Sequence, residues 1–196
     1  ASGAAPEDSE ALVLLEQPPA AVDREAVVRY LEPFGYLAAG ASEWAATATL
    51  PELGLQVSGH RKANGHVFYH VKMSLAKPGE WHSPFATWRV GRRLQHLRSG
   101  LHDPVKQELG SDYKTRFEGV HFAHKVHVRG TTGRLDLWCK KLAQCLNAKL
   151  LPPIIAAIVL QALLPDGVDT AEVARARRAA SASGDASEGA AAEGAA

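Results

Sequence analysis

Gly65-His66-Val67-Phe68-Tyr69-His70-Val71-Lys72-Met73 decides the fold, because it reads with a period of two. Val67, Tyr69, Val71 and Met73 line one face and His66, Phe68, His70 and Lys72 the other, as in a strand with one buried side. Asn64-Gly65 comes just before it, and a type I′ turn needs positive φ at both central positions, so a hairpin is expected. The preceding strand then starts at Leu55 and Val57. Lys77-Pro78-Gly79 makes another turn, and a third strand follows around Phe85 to Val90.

Beyond that strand the period changes. Leu94, Leu97, Leu101, Val105 and Leu109 fall three and four apart, the spacing of one buried helix face. Gly100 and Asp103-Pro104 predict a break and restart with Asp103 as N-cap, and Gly110 a stop. About twenty residues of loop come next, long enough to suggest a functional role. They hold Lys114, Arg116, Lys125 and Arg129 beside Phe117 and Phe122. Thr131-Thr132-Gly133 opens a helix with Leu135, Trp138, Leu142 and Leu146 on its apolar side, and Pro152-Pro153 opens a last apolar helix ending near Pro165. The order predicts an α+β fold: a three-stranded antiparallel sheet meander packed on a helical subdomain.

Charge is strongly segregated. Residues 1–54 hold nine acidic and two basic residues, residues 55–155 hold 17 Lys and Arg against six Asp and Glu, and residues 156–196 hold three against six. The net charge of +1 therefore conceals a basic domain between acidic flanks, a field that attracts phosphorylated lipid head groups, anionic membrane or nucleic acid. Residues 1–54 read as an acidic N-terminal extension with one short helix, from an Asp23 cap to about Glu32 and ended by Pro33 and Gly35. Residues 55–165 form the main domain. Residues 166–196 read as a helical to disordered tail, low in complexity from Ser181 onward.

Arg92 and Arg93 stand where the third strand meets the helix, and planar guanidiniums there suit phosphate oxygens. Arg134 stands in the first turn of the next helix, where a cation opposes the macrodipole unless an anion or the nearby Asp136 compensates it. All nine histidines lie in the basic domain; His121, His124 and His127 form a series without the scaffold a metal site needs, so no metal is expected. Protonation of such histidines below about pH 6.5 would strengthen the basic field. No nucleophile elbow, zinc-protease motif or P-loop is present, so no enzyme activity and no cofactor are expected. Cys139 and Cys145 match neither a metal nor a disulfide spacing and suggest a reducing compartment. The apolar run Ile154 to Leu164 is too short to span a bilayer.

Residues 55 to about 164 resemble the phox-homology (PX) domain, a phosphoinositide-binding family. Gly65-His66-Val67-Phe68-Tyr69-His70-Val71 looks like its hairpin, and Val90-Gly91-Arg92-Arg93-Leu94-Gln95-His96-Leu97 looks like its Arg-Arg-Tyr-x-x-Phe junction. Gly133-Arg134-Leu135-Asp136-Leu137-Trp138 sits where that family carries a second basic residue. The resemblance implies that Arg93 contacts a 3-phosphate and Arg134 the far side of the inositol ring. It also implies Lys125 near the 1-phosphate, with Arg92 adjoining. It implies a non-enzymatic, cytoplasmic module, peripheral on an organelle membrane, whose partners are phosphoinositide head groups or an anionic membrane surface. Leu94 replaces the family's tyrosine, Leu97 its second aromatic, and the proline-rich membrane loop is missing. Those departures and the acidic flanks favour the alternative, a PX-like protein-interaction or scaffold subunit that has lost lipid binding. Nucleic acid is the least favoured partner, because the strand aromatics form no RNP-like platform.

Overall fold

The computed structural model describes residues 24–123 and 130–189, with side chains for residues 25–123 and 130–182. Helix α1 (Arg24–Leu31) runs into a 3₁₀ turn (Glu32–Phe34) closed by Gly35 at φ 92°, a left-handed conformation that glycine adopts without strain. Asp23, the expected cap, lies outside the described residues. Strands β1 (Glu52–Ala63), β2 (His66–Ala76) and β3 (Ala86–Arg93) form an antiparallel sheet in that order. The β1–β2 turn has Asn64 at φ 50° and Gly65 at φ 75°, the pair of positive values that Asn-Gly supplies.

Leu53, Leu55 and Val57 of β1, Tyr69, Val71, Met73 and Leu75 of β2, and Val90 of β3 are buried on one face. The register shifts between Val57 and Gly59, so one extra residue, Ser58, sits in β1. This bulge resets the alternation: Arg61 comes opposite Phe68 and Lys62 opposite Val67. No sequence period foretells it, although a glycine inside a strand is the one local hint.

The helix after β3 is built in pieces: α2 (Leu94–Leu97), a π-helical turn (Arg98–His102) and α3 (Asp103–Leu109). The expected break is a widened turn instead, and Asp103 is not an N-cap. Its backbone is helical at φ −68°, and its carboxylate is 2.6 Å from His102 Nδ1. Pro104 has no N–H to give and would clash with the carbonyl four residues back; a π-turn opens the spiral there without ending it. Gly110 stops the helix as expected. The loop that follows carries helix α4 (Asp112–Arg116) and buries Phe117 and Phe122.

Helices α5 (Thr131–Asn147), α6 (Pro153–Leu163) and α7 (Thr170–Gly189) follow among the described residues. Helix α5 seals the open edge of β1: Asp136 Oδ1 accepts from Val57 N at 2.8 Å, and Asn147 both accepts from Leu53 N and donates to Leu53 O. An edge strand is thereby denied to other chains.

One core unites these parts. It contains Val27, Leu31, Phe34, Tyr36, Ala48 and Leu50 from the segment read as an extension, and Val173 from the segment read as a tail. Phe34 meets the Trp88 ring of β3 edge-on at 6.5 Å. Trp44 Nε1 donates to Leu151 O at 2.8 Å, and Ile154 N donates to Ala41 O at 3.0 Å. No helix among the described residues is long and apolar enough to cross a membrane.

Candidate functional site

The β1–β2 hairpin and the start of α2 meet at the end of the sheet where β3 turns into α2. There Lys62, Gly65, His66, Val67, Arg93, Leu94 and Gln95 line a cleft of about 380 Å³. Arg93 is the last residue of β3 and precedes the first turn of α2, with an extended backbone at φ −71° and ψ 151°. It is half-buried and makes no ion pair or side-chain hydrogen bond among the described residues; neither does Lys62. Two permanent cations and an imidazole thus face one cleft with no carboxylate among the described residues of its lining. Unpaired guanidinium and ammonium groups held this way suit a phosphate, one as a planar fork and the other as a point charge. Leu94, where the PX family carries tyrosine, is buried as well as lining the cleft.

Arg92 differs from its neighbour. Opposite Tyr69, it points to the core side of the sheet and donates from Nε to Ala162 O at 3.2 Å and from Nη2 to Leu164 O at 3.0 Å. It closes the C-terminus of α6, where orphan carbonyls favour a cation. Two of its five N–H donors thus serve α6, and Arg92 is not among the described residues lining the cleft of Arg93, although the sequence groups the two as phosphate ligands.

Arg134 is exposed on α5 and lines a different cleft, with Gly119, Val120, His121, Phe122 and Leu137. The clefts of Arg93 and Arg134 share no described residue. Asp136 does not neutralise Arg134: its oxygens go to Val57 N and to Lys140 Nζ at 2.7 Å. Lys125, Arg129, His124 and His127 lie outside the described residues. Neither Lys62 nor His66 stands out in the sequence as a site residue; they carry no motif of their own and join Arg93 only because the hairpin and the β3–α2 junction line one cleft.

Below the cleft, the start of α5 meets the sheet where Thr132 Oγ1 lies 3.0 Å from His60 Nδ1 and Thr131 hydrogen-bonds Tyr69. A ring cluster then fixes the loop before α5. Trp138 is fully buried and stacks on Phe117 at 5.5 Å, meets Phe122 edge-on at 5.2 Å, and donates from Nε1 to Tyr113 Oη at 2.9 Å. His102 stacks on Phe122 at 4.3 Å, and Arg98 ties the loop end by donating to Ala123 O at 2.8 Å. Cys139 and Cys145 are free and buried; burial, then the Asp136 charge, pushes the Cys139 thiol up to about 12, so it stays protonated.

Burial among these rings lowers the His102 pKa; Asp103 opposes the shift, and Arg98 and Lys106 add to it. A folded pKa below the unfolded one gives a contribution that is complete above about pH 6.5 and is lost as pH falls, because the unfolded chain takes the proton first. Thermal melts from pH 7.5 to 5.0 are expected to show Tm falling with acidification, and His102→Phe is expected to shrink that slope. An unchanged slope in the variant would remove His102 as its source.

No family model matches the chain, and no match is found among curated proteins or solved structures.

Proposed function

We propose that this chain is a non-enzymatic, PX-like module that binds phosphoinositide head groups and so docks peripherally on a membrane. The reading is carried by one observation: Arg93 and Lys62, both without partners among the described residues, converge with His66 on a cleft whose described lining holds no carboxylate. Guanidinium and ammonium hydrogen bonds to a phosphate are charge-assisted and roughly twice as strong as neutral ones. The sheet and strand-to-helix junction agree with the PX resemblance, and the basic strands add a long-range pull on anionic lipid. In this reading the head group is held chiefly by Arg93 and Lys62.

Co-sedimentation with phosphoinositide vesicles tests it. Arg93→Ala is expected to cost about ten- to a hundred-fold in affinity, the loss of charged hydrogen bonds worth about 1.5–3 kcal/mol. Arg92→Ala is expected to lower Tm and leave vesicle affinity nearly unchanged. Equal binding by the parent and Arg93→Ala would contradict the proposal.

A second reading, a PX-like scaffold subunit that binds protein instead of lipid, is favoured by Arg134 lining a different cleft from Arg93 and by Leu94. Such a scaffold would ignore both arginines and be indifferent to the lipid in the vesicle.

A further inference from the structure

The helices cover one face of the sheet, and the opposite face is charged with a single sign. Across the hairpin end, Arg61, Phe68 and Arg93 are paired in one row; Lys72 and Arg89 are paired in another, four residues along, with Gln56 beside Lys72. Arg61 and Arg89 are exposed, and Phe68, Lys72 and Arg93 are half-buried. At about 3.3 Å per residue the two rows lie about 13 Å apart, with neighbouring strands about 4.8 Å apart. His66 and His70 occupy this face as well. The three strands contain one carboxylate, Glu52, which is at the far end of β1 and accepts from Gly79 N at 3.0 Å. None of Arg61, Lys72, Arg89 and Arg93 makes an ion pair among the described residues.

We propose that this outer sheet face is a membrane-contacting surface, lying flat on a bilayer rich in anionic lipid while the adjoining cleft takes a single head group. The inference rests on the membrane reading above, though not on selectivity for any one head group. Four permanent cations spread over two dimensions match a plane of negative charge better than a linear chain of it. A single nucleic-acid strand favours successive large stacking rings, and this face has one large ring, Phe68, beside two imidazoles. The face also runs into the cleft through Arg93, so lipids held by the one are within reach of the other. Contact of this kind needs no inserted apolar loop. It depends on the number of cations brought within a Debye length of the surface, and salt weakens it.

The test uses vesicles of phosphatidylserine and phosphatidylcholine without phosphoinositide, with the full chain and its Lys72→Ala/Arg89→Ala variant. Neither residue lines the cleft, and equal Tm values would establish that both proteins are folded. The chain is expected to sediment with these vesicles at low salt and to be released as salt rises. The double variant is expected to bind about thirty-fold more weakly, from the loss of two cations near the surface. Titration with soluble inositol 1,3-bisphosphate separates the two claims, because the double variant is expected to bind it as the parent does. No sedimentation of the parent, or equal sedimentation of the two proteins, would overturn the proposal. So would displacement of the vesicles by a single-stranded oligonucleotide at much lower concentration than by a polyphosphate of equal charge, which would assign the face to nucleic acid.

Discussion

Replacing Trp138 with alanine is expected to destabilise the protein by about 3–5 kcal/mol, the range for deleting a large aromatic from a packed core. In a chain of this size that corresponds to a fall of roughly 6–20 °C in Tm. Trp138 has no exposed surface and meets Phe117, Phe122 and His102, three rings from the segment between α2 and α5. Its loss opens a cavity between that segment and the helix and leaves the Tyr113 hydroxyl without its donor. Trp138→Phe keeps a ring but removes the hydrogen bond, so a smaller loss is expected. The alanine variant should also expose the segment from Phe117 to Ala123 to proteolysis before the rest unfolds. A melting curve like the parent's would mean that the ring cluster contributes little to stability.

Phe34→Ala is expected to cost a similar amount, although Phe34 lies in the segment read from charge and composition as an extension. Phe34 is fully buried, lies 5.7 Å from the Tyr30 ring and reaches Trp88 of β3. The 3₁₀ turn and Gly35 aim it there, with Arg177 of α7 close against the Gly35 backbone. An appended extension could lose this ring with almost no effect, because a separate element shares no cavity with the core. Chemical denaturation of Phe34→Ala distinguishes the two cases. A single transition shifted by about 3 kcal/mol or more supports one cooperative core, and a shift below about 0.5 kcal/mol supports an appendage.

The sequence carried the sheet well because its signals were local. Alternation from Val67 to Met73 and the Asn64-Gly65 turn determine strand, face and hairpin within a dozen residues. Helices with a full apolar stripe, such as the one bearing Leu135, Trp138, Leu142 and Leu146, were equally legible. The integration of residues 27–50 was not, because acidic composition says nothing of where a few apolar side chains are buried. Phe34 reaches Trp88 in the sheet, more than fifty residues away, and α1 packs on α6. Register was hidden too: the bulge after Val57 changes which face takes Arg61 and which takes Lys62, and alternation alone would have exchanged them.

The candidate site was legible in part for the same reason. Arg93 could be singled out because a strand end, a helix start and two arginines meet in four residues. That Arg92 would serve the α6 carbonyls depends on a contact seventy residues distant. Arg134 was matched to Arg93 by position in the chain, whereas its place on α5 turns it toward Gly119 to Phe122. Lys62, which does join Arg93, had no motif of its own.

Calorimetric titration of the chain with soluble inositol 1,3-bisphosphate, alongside Arg93→Ala and Arg134→Ala, tests the central claim most directly, since no bilayer or outer sheet face contributes to it. Saturable binding that Arg93→Ala weakens at least ten-fold, and that Arg134→Ala leaves within about two-fold, is the predicted result. Absence of binding, or binding indifferent to Arg93, would contradict a phosphate-holding cleft at the end of the sheet.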